Sequence, residues 1–195
     1  MKIRAVESWK ESMPLSRPYA IAGREMTTGV DLFFLRLVAE DGTQGLGCAS
    51  PAEDITGESP ESCASALEPD RLDLEGRDVR SLGTLCRGLE GMHATPAARA
   101  AADMALHDLF ARNLGVSVVD LLGRCHRVLP TSITIGIKSV EESRAEGREY
   151  VGRGFRCLKV KLGNSVEEDL ERLHALREDL GADIRIRVDA NQGYG

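Results

Sequence analysis

The chain has 195 residues, 42% of them hydrophobic, with 25 Lys plus Arg against 31 Asp plus Glu and a formal charge of −6. That length holds one domain or two small ones, and mild acidity argues against a nucleic-acid groove or an anionic membrane surface as the main partner. No run approaches the ~20 apolar residues of a membrane span, and the charged start MKIRAVESWKESM carries no apolar signal core. Five cysteines without a CxxC pair predict reduced thiols rather than a disulfide frame or a zinc site. A soluble cytoplasmic protein is the expectation.

In chain order, residues 2–9 and 31–39 read as strands. Glu40-Asp41-Gly42-Thr43 is a hairpin turn, since Asp-Gly supplies the required backbone conformations, and residues 44–49 return as a third strand. From Ser59 helices dominate. Thr95-Pro96 predicts an N-cap and a first-turn proline for a helix running to Asn113, with Gly115 just past its end. Ala98, Ala101, Ala102, Ala105, Leu109 and Ala111 give that helix small residues for close approach. Strands and helices in blocks make residues 1–129 an α+β unit.

From Pro130 the order alternates. SITIGI (132–137), CLKVKLG (157–163) and IRIRVDAN (184–191) are strands. Capping boxes at Ser139–Glu142 and Ser165–Glu168 open the helices between them. On the second helix Val166, Leu170, Leu173, Leu176 and Leu180 are predicted to form one apolar face. The result is βαβαβ, the opening of a parallel α/β structure.

The strand phases point to chemistry. Ile133, Ile135 and Ile137, then Leu158, Val160 and Leu162, then Ile184, Ile186 and Val188 alternate with Thr134, with Lys159 and Lys161, and with Arg185, Arg187, Asp189 and Asn191. Side chains alternate across a strand, so each strand has one greasy and one polar face. A parallel sheet buried on both sides lacks such alternation. Three strands of this kind predict a barrel with functional groups at the strand C-termini, the alternative being an open sheet with one solvated face. Lys159 and Lys161 project side by side; like charge disfavours the ammonium form, which makes a lysine usable as a general base. A solvated basic strand end is the plain alternative. Asp189, followed by Asn191 and Gln192, suits a hard cation needing oxygen ligands, or else a simple helix cap. Among the four histidines no HxH or HExxH spacing occurs, so metal ligation by histidine is not expected. Cys157 shares the phase of Lys159 and reads as a small packed thiol.

KVK (159–161) followed by RVDANQG (187–193), after an α+β region, resembles the enolase superfamily in its mandelate racemase and muconate lactonizing group. TSITIGI, KVK and DANQG together look most like the dipeptide epimerases. PLSRPYAIAGRE (14–25) and ITGES (55–59) look like the two loops of the family's capping domain. AAADMALHDLFARNLGVSVVDLLGR (100–124) is similar to its connector, apart from Ser117 in place of proline and Arg124 in place of a second glycine.

The resemblance implies an α+β capping domain (1–129), followed by the first strands and helices of a TIM-type (β/α) barrel (130–195), incomplete in this chain. It implies metal-dependent epimerisation of a dipeptide. Lys161 would be the base for the α-proton, Lys159 and Thr134 substrate-binding groups, and Asp189 the first carboxylate ligand to Mg2+. Arg24 sits where the acidic-dipeptide epimerases carry their arginine and would pair with a substrate side-chain carboxylate, although Glu25 beside it would favour a cation. A cycloisomerase or dehydratase of the same superfamily is the runner-up, and a non-catalytic fragment the reading from another class. A barrel takes ~250 residues, so the second and third acid ligands and the opposing base belong to later strands. The 195-residue chain alone is expected to be inactive and to bind Mg2+ feebly. Its last strand would be an open edge, which favours self-association into a homo-oligomer.

Overall fold

A computed structural model describes residues 1–20, 26–92 and 95–194, apart from the side chains of Tyr19 and Asp54. Arg24 and Glu25 lie outside the described residues. The chain divides into two compact units, Met1–Pro14 with Gly29–Arg127, and Leu15–Thr28 with Val128–Gly195.

The first unit is built on the strands Ile3–Tyr19 (β1), Thr27–Ala39 (β2) and Gln44–Ala49 (β3), in the order β1-β2-β3. Phe33, Leu35 and Leu37 alternate along β2, and all three are buried. On the opposite face Trp9 stacks on Phe34 with ring centroids 5.4 Å apart, and Arg36 lies over Trp9 while pairing with Glu7. The β2–β3 hairpin turns where Asp-Gly predicts it. Gly42 has φ 86°, a left-handed conformation natural to glycine, and Asp41 Oδ1 accepts from the Thr43 N–H at 2.9 Å.

β1 and β2 are longer than the sequence pattern indicates, and PLSRPY is strand rather than loop. Their extra length is a polar ribbon, held by contacts such as Lys10 Nζ to Asp31 at 2.7 Å. Hydrophobic alternation cannot report a segment with no buried face.

Short helices follow at Glu53–Thr56 (α1), Pro60–Ala66 (α2), Pro69–Leu72 (α3) and Leu82–Gly88 (α4). The long helix Pro96–Asn113 (α5) and Val118–Leu121 (α6) complete the unit. Ala98, Ala101, Ala102, Ala105, Leu106 and Leu109 are fully buried against Ile3, Phe33, Leu35 and Leu37. Gly45 and Gly47 of β3 make this approach possible. A Cβ on Gly47 would overlap the main-chain oxygen of Ala101, and one on Gly45 that of Ala105. Backbone cannot give way as a flexible side chain can, so Gly47→Ala is expected to destabilise the unit by about 3 kcal/mol, read as a lower urea midpoint at unchanged slope.

The N-terminus of α5 departs from expectation. Thr95 occupies the N-cap but makes no side-chain capping bond. Glu58 of the ITGES segment does the work instead. Its Oε1 accepts from the Ala97 N–H at 2.7 Å and its Oε2 from the Thr56 hydroxyl at 2.9 Å, with the residue 1% exposed. A carboxylate at a helix N-terminus satisfies an orphan donor and opposes the positive end of the dipole. Glu58→Ala is expected to cost about 2 kcal/mol, visible as lost hydrogen-exchange protection in the first turn of α5.

The two departures in the connector have a shared explanation. Ser117 is the N-cap of α6, and its hydroxyl donates to Asp120 Oδ2 at 2.6 Å; Arg124 Nε donates to Asp120 Oδ1 at 2.8 Å.

In the second unit Ile133–Ile135 (β4), Cys157–Lys161 (β5) and Arg185–Asp189 (β6) form a parallel sheet in the order β4-β5-β6. Val140–Gly152 (α7) and Val166–Leu180 (α8) are the crossovers. The Ser139–Glu142 capping box forms in both directions, whereas at Ser165 only the hydroxyl caps, accepting from the Glu168 N–H. Ile135, Leu158, Val160, Leu162 and Ile184 form one core with Tyr150 of α7 and with Leu173, Leu176 and Leu180 of α8. Both helices thus cover the same sheet face, the arrangement a β/α barrel requires.

The predicted stripe on α8 holds for Leu173, Leu176 and Leu180 and is corrected at its N-terminal end. Val166 and Leu170 are half exposed, while Asp169 and Arg172 are buried at 2% each. Val188 is also exposed, on a strand with one described neighbour.

Candidate active site

The parallel register decides which side chains meet. Thr134 lies level with Lys159 and Arg187, and Lys161 lies level with Asp189. Residues in register on neighbouring strands point to the same side. Thr134, Lys159, Lys161 and Asp189 therefore share the face away from α7 and α8, the two lysines stepping toward the C-terminal end of β5.

At that end the charges converge on one oxygen. Asp189 Oδ2 accepts from Lys159 Nζ at 2.8 Å and from Lys161 Nζ at 2.9 Å. Lys161 Nζ also donates to Asn191 Oδ1 at 2.9 Å. Two ammonium groups on one oxygen, Lys159 first and then Lys161, with the Asn191 N–H on Oδ1 at 3.1 Å, hold the Asp189 carboxyl well below the usual carboxylate range. The lysine pair is thus not the bare like-charge pair that the KVK spacing suggests. A carboxylate stands between the ammonium groups and offsets their repulsion. The lysines also differ in environment: the Lys161 side chain is 12% exposed and that of Lys159 36%.

The turn after β6 aims these groups. Asn191 and Gln192 have φ 49° and 60°, and Gly193 N–H closes the turn on Ala190 O at 2.8 Å. Asparagine tolerates this left-handed region because its side chain bonds locally; glutamine does so less readily. Residues held there cost free energy and gather at functional sites. As oxygen donors for a hard cation this end offers the Asp189 carboxylate and the Asn191 carboxamide, and Asp189 is the one acid on the polar face among the described strand residues.

Below the lysines lies a strut that the strand pattern does not reveal. Arg172 of α8 donates to Lys161 O at 2.8 Å and Gly136 O at 3.5 Å and pairs with Asp169. Asp169 Oδ2 accepts from the Gly163 N–H at 2.7 Å and the Tyr194 hydroxyl at 2.6 Å. Burial opposes the charge on Asp169, yet the donors from Tyr194, Gly163 and Arg172 hold its carboxyl below the ordinary value. One buried ion pair therefore ties the segments after β4, β5 and β6 together. The signal was present in the sequence: positions 169, 172, 176 and 180 share a helix face, and the first two carry opposite charges.

Arg17 belongs to the same unit. It donates both bonds to Glu149 at 2.8 Å, pairs with Glu146 at 3.4 Å and lies over the Tyr150 ring. Its role is to fasten residues 15–19 to α7.

An α+β unit followed by a parallel β/α unit, with lysines and an aspartate at the strand ends on the face away from the helices, is the layout of the enolase-type proteins. The chain belongs to the mandelate racemase / muconate lactonizing enzyme family, whose N-terminal domain matches residues 3–123, while an enolase C-terminal domain-like match covers residues 142–195. It is 52% identical over its whole length to an L-Lys-D/L-Arg epimerase of Methylococcus capsulatus, and 31% identical to the L-Ala-D/L-Glu epimerase of Bacillus subtilis. A crystal structure of the dipeptide epimerase from Methylococcus capsulatus complexed with Mg and the dipeptide L-Arg-D-Lys superposes with a TM-score of 0.96 at 51% identity, over all of this chain and 55% of that one. The chain spans about half the length of these relatives: 55% and 54% for the two curated ones.

Proposed function

We propose that the chain serves in the epimerisation of dipeptides, with a preference for substrates carrying Lys or Arg side chains. The observation that carries this reading is the meeting of Lys159 and Lys161 on Asp189 at the strand ends, in a chain with 52% identity to an L-Lys-D/L-Arg epimerase. In this reading residues 1–129 are the capping domain and 130–195 the opening of the barrel. Five free cysteines, one of them exposed at Cys125, fit the reducing cytoplasm.

Lys161 takes and returns the α-proton at Nζ. It is the less exposed of the two lysines and stands at the end of β5 on the polar face, where a positioned amine can serve as the base. Lys159, level with Thr134, meets the substrate carboxylate as an ammonium. Thr134 is exposed beside it and presents its hydroxyl to the same substrate. Asp189 and Asn191 orient Lys161 through the two bonds that its Nζ donates. The oxygen donor set at Asp189 fits one ligand position of Mg2+; the ion would supply electrostatic stabilisation of the charge that develops on the substrate carboxylate. Substrate discrimination belongs in part to Arg24 and Glu25: Glu25 suits the cationic substrate, and Arg24 the acidic one.

Joined to the C-terminal half of the Methylococcus capsulatus relative, the chain is expected to exchange the α-proton of L-Lys-L-Arg with D2O at least about tenfold faster than that of L-Ala-L-Glu, one factor of ten being ~1.4 kcal/mol. Equal rates would remove the cationic preference. No exchange with any dipeptide would remove the epimerase reading.

A further inference from the structure

The first unit holds a cluster of metal-ligating groups that the dipeptide chemistry does not use. Asp103 and His107 stand one turn apart on α5, and Cys86 reaches them from α4. The Cys86 sulfur, an Asp103 carboxylate oxygen and a ring nitrogen of His107 all lie within 4.8 Å of one another. Tetrahedral zinc with bonds of 2.0–2.3 Å separates its ligand atoms by about 3.5 Å, so small rotamer changes close the cluster on an ion. His107 Nδ1 lies 2.9 Å from the Asp103 main-chain oxygen. The same nitrogen lies 3.4 Å from Asp103 Oδ2; an ion bound at Nδ1 would replace the main-chain contact, and one bound at Nε2 would keep it. Metal-bound histidines are held in this way by the partner of their other nitrogen.

All three residues are half-buried. Two clefts of about 410 and 470 Å3, both lined by Asp103, give solvent a path to them. We propose that Cys86, Asp103 and His107 form a site for a divalent transition-metal ion of the zinc class, with water in the fourth position. Sulfur, nitrogen and one oxygen suit a borderline ion, whereas Mg2+ demands oxygen donors. Without metal, burial and the neighbouring Asp103 carboxylate push the Cys86 thiol up to about 11. Its S–H bond breaks as the sulfur–metal bond forms, and the proton passes to buffer. The ion clamps α4 to α5.

Cobalt reports such a site, because thiolate ligation gives a charge-transfer absorption that oxygen sites lack. Chelator-treated chain titrated with Co2+ is expected to bind one ion with this band, and Zn2+ is expected to bleach it. An approximately thousandfold excess of Mg2+ is expected to leave it unchanged. Cys86→Ser should abolish the band, and His107→Gln, at a partly exposed position, should weaken Zn2+ binding at least about tenfold. Zn2+ should raise the melting temperature of the parent chain and not that of Cys86→Ser. Absence of the band, its survival in Cys86→Ser, bleaching by Mg2+, or equal Zn2+ affinity in His107→Gln would each overturn the proposal.

Discussion

Lys161→Ala is expected to lower α-proton exchange from one substrate isomer by about 10²–10⁴-fold, the range a positioned general base contributes. The measurement is deuterium incorporation in D2O, followed separately from each epimer, in the chain joined to the C-terminal half of its Methylococcus capsulatus relative. Lys161 stands at the end of β5 on the polar face, so its loss opens no hydrophobic cavity and the far-ultraviolet circular dichroism should not change. Lys159→Ala separates the two lysines. It leaves a base beside Asp189 but removes the carboxylate-binding charge, so KM should rise more than kcat falls. Unchanged exchange from both epimers in Lys161→Ala would exclude that residue as the base.

Arg172→Ala is expected to destabilise the second unit by about 3–5 kcal/mol, the cost of breaking a buried ion pair from one side. Asp169 would keep a buried charge with its cationic partner gone, and the carbonyls of Lys161 and Gly136 would lose their donor. Thermal unfolding followed by circular dichroism measures the loss. Arg172→Met tests the mechanism further. It restores the buried aliphatic volume without the charge, so stability as low as that of alanine would assign the loss to the ion pair and not to packing. A change below about 1 kcal/mol in Arg172→Ala would show that the strut carries little.

The strand phases are the part of the site that periodicity reveals. A residue two places along a strand returns to the same face whatever the surroundings, so KVK places Lys159 and Lys161 together, and Thr134 and Asp189 follow once β4 and β6 flank β5 in parallel. The same reasoning fails in part on α8. Leu173, Leu176 and Leu180 of the predicted stripe do pack on the sheet, but only the docking of α8 leaves Val166 and Leu170 half exposed and buries Asp169 and Arg172. It fails also at Thr95. A threonine before proline is a good local cap, but Glu58 lies 39 residues from Ala97 in sequence, and no local rule ranks a distant carboxylate above a near hydroxyl.

The sequence by itself determined the two-part order of the chain, the βαβαβ alternation after Pro130, the Asp-Gly hairpin, the small-residue face of α5 and the family motifs KVK and DANQG. All of these are local, set by side-chain alternation, turn conformation and helix capping over a few residues. Tertiary structure alone decided that Asp189 would stand between the two lysines, that Asp169 and Arg172 would be buried beneath them, and that Cys86 would reach Asp103 and His107 although no histidine or cysteine spacing announces it. Each of these depends on separate segments brought together by the burial of apolar surface, and a charge finds its partner only after that burial has fixed the backbone around it.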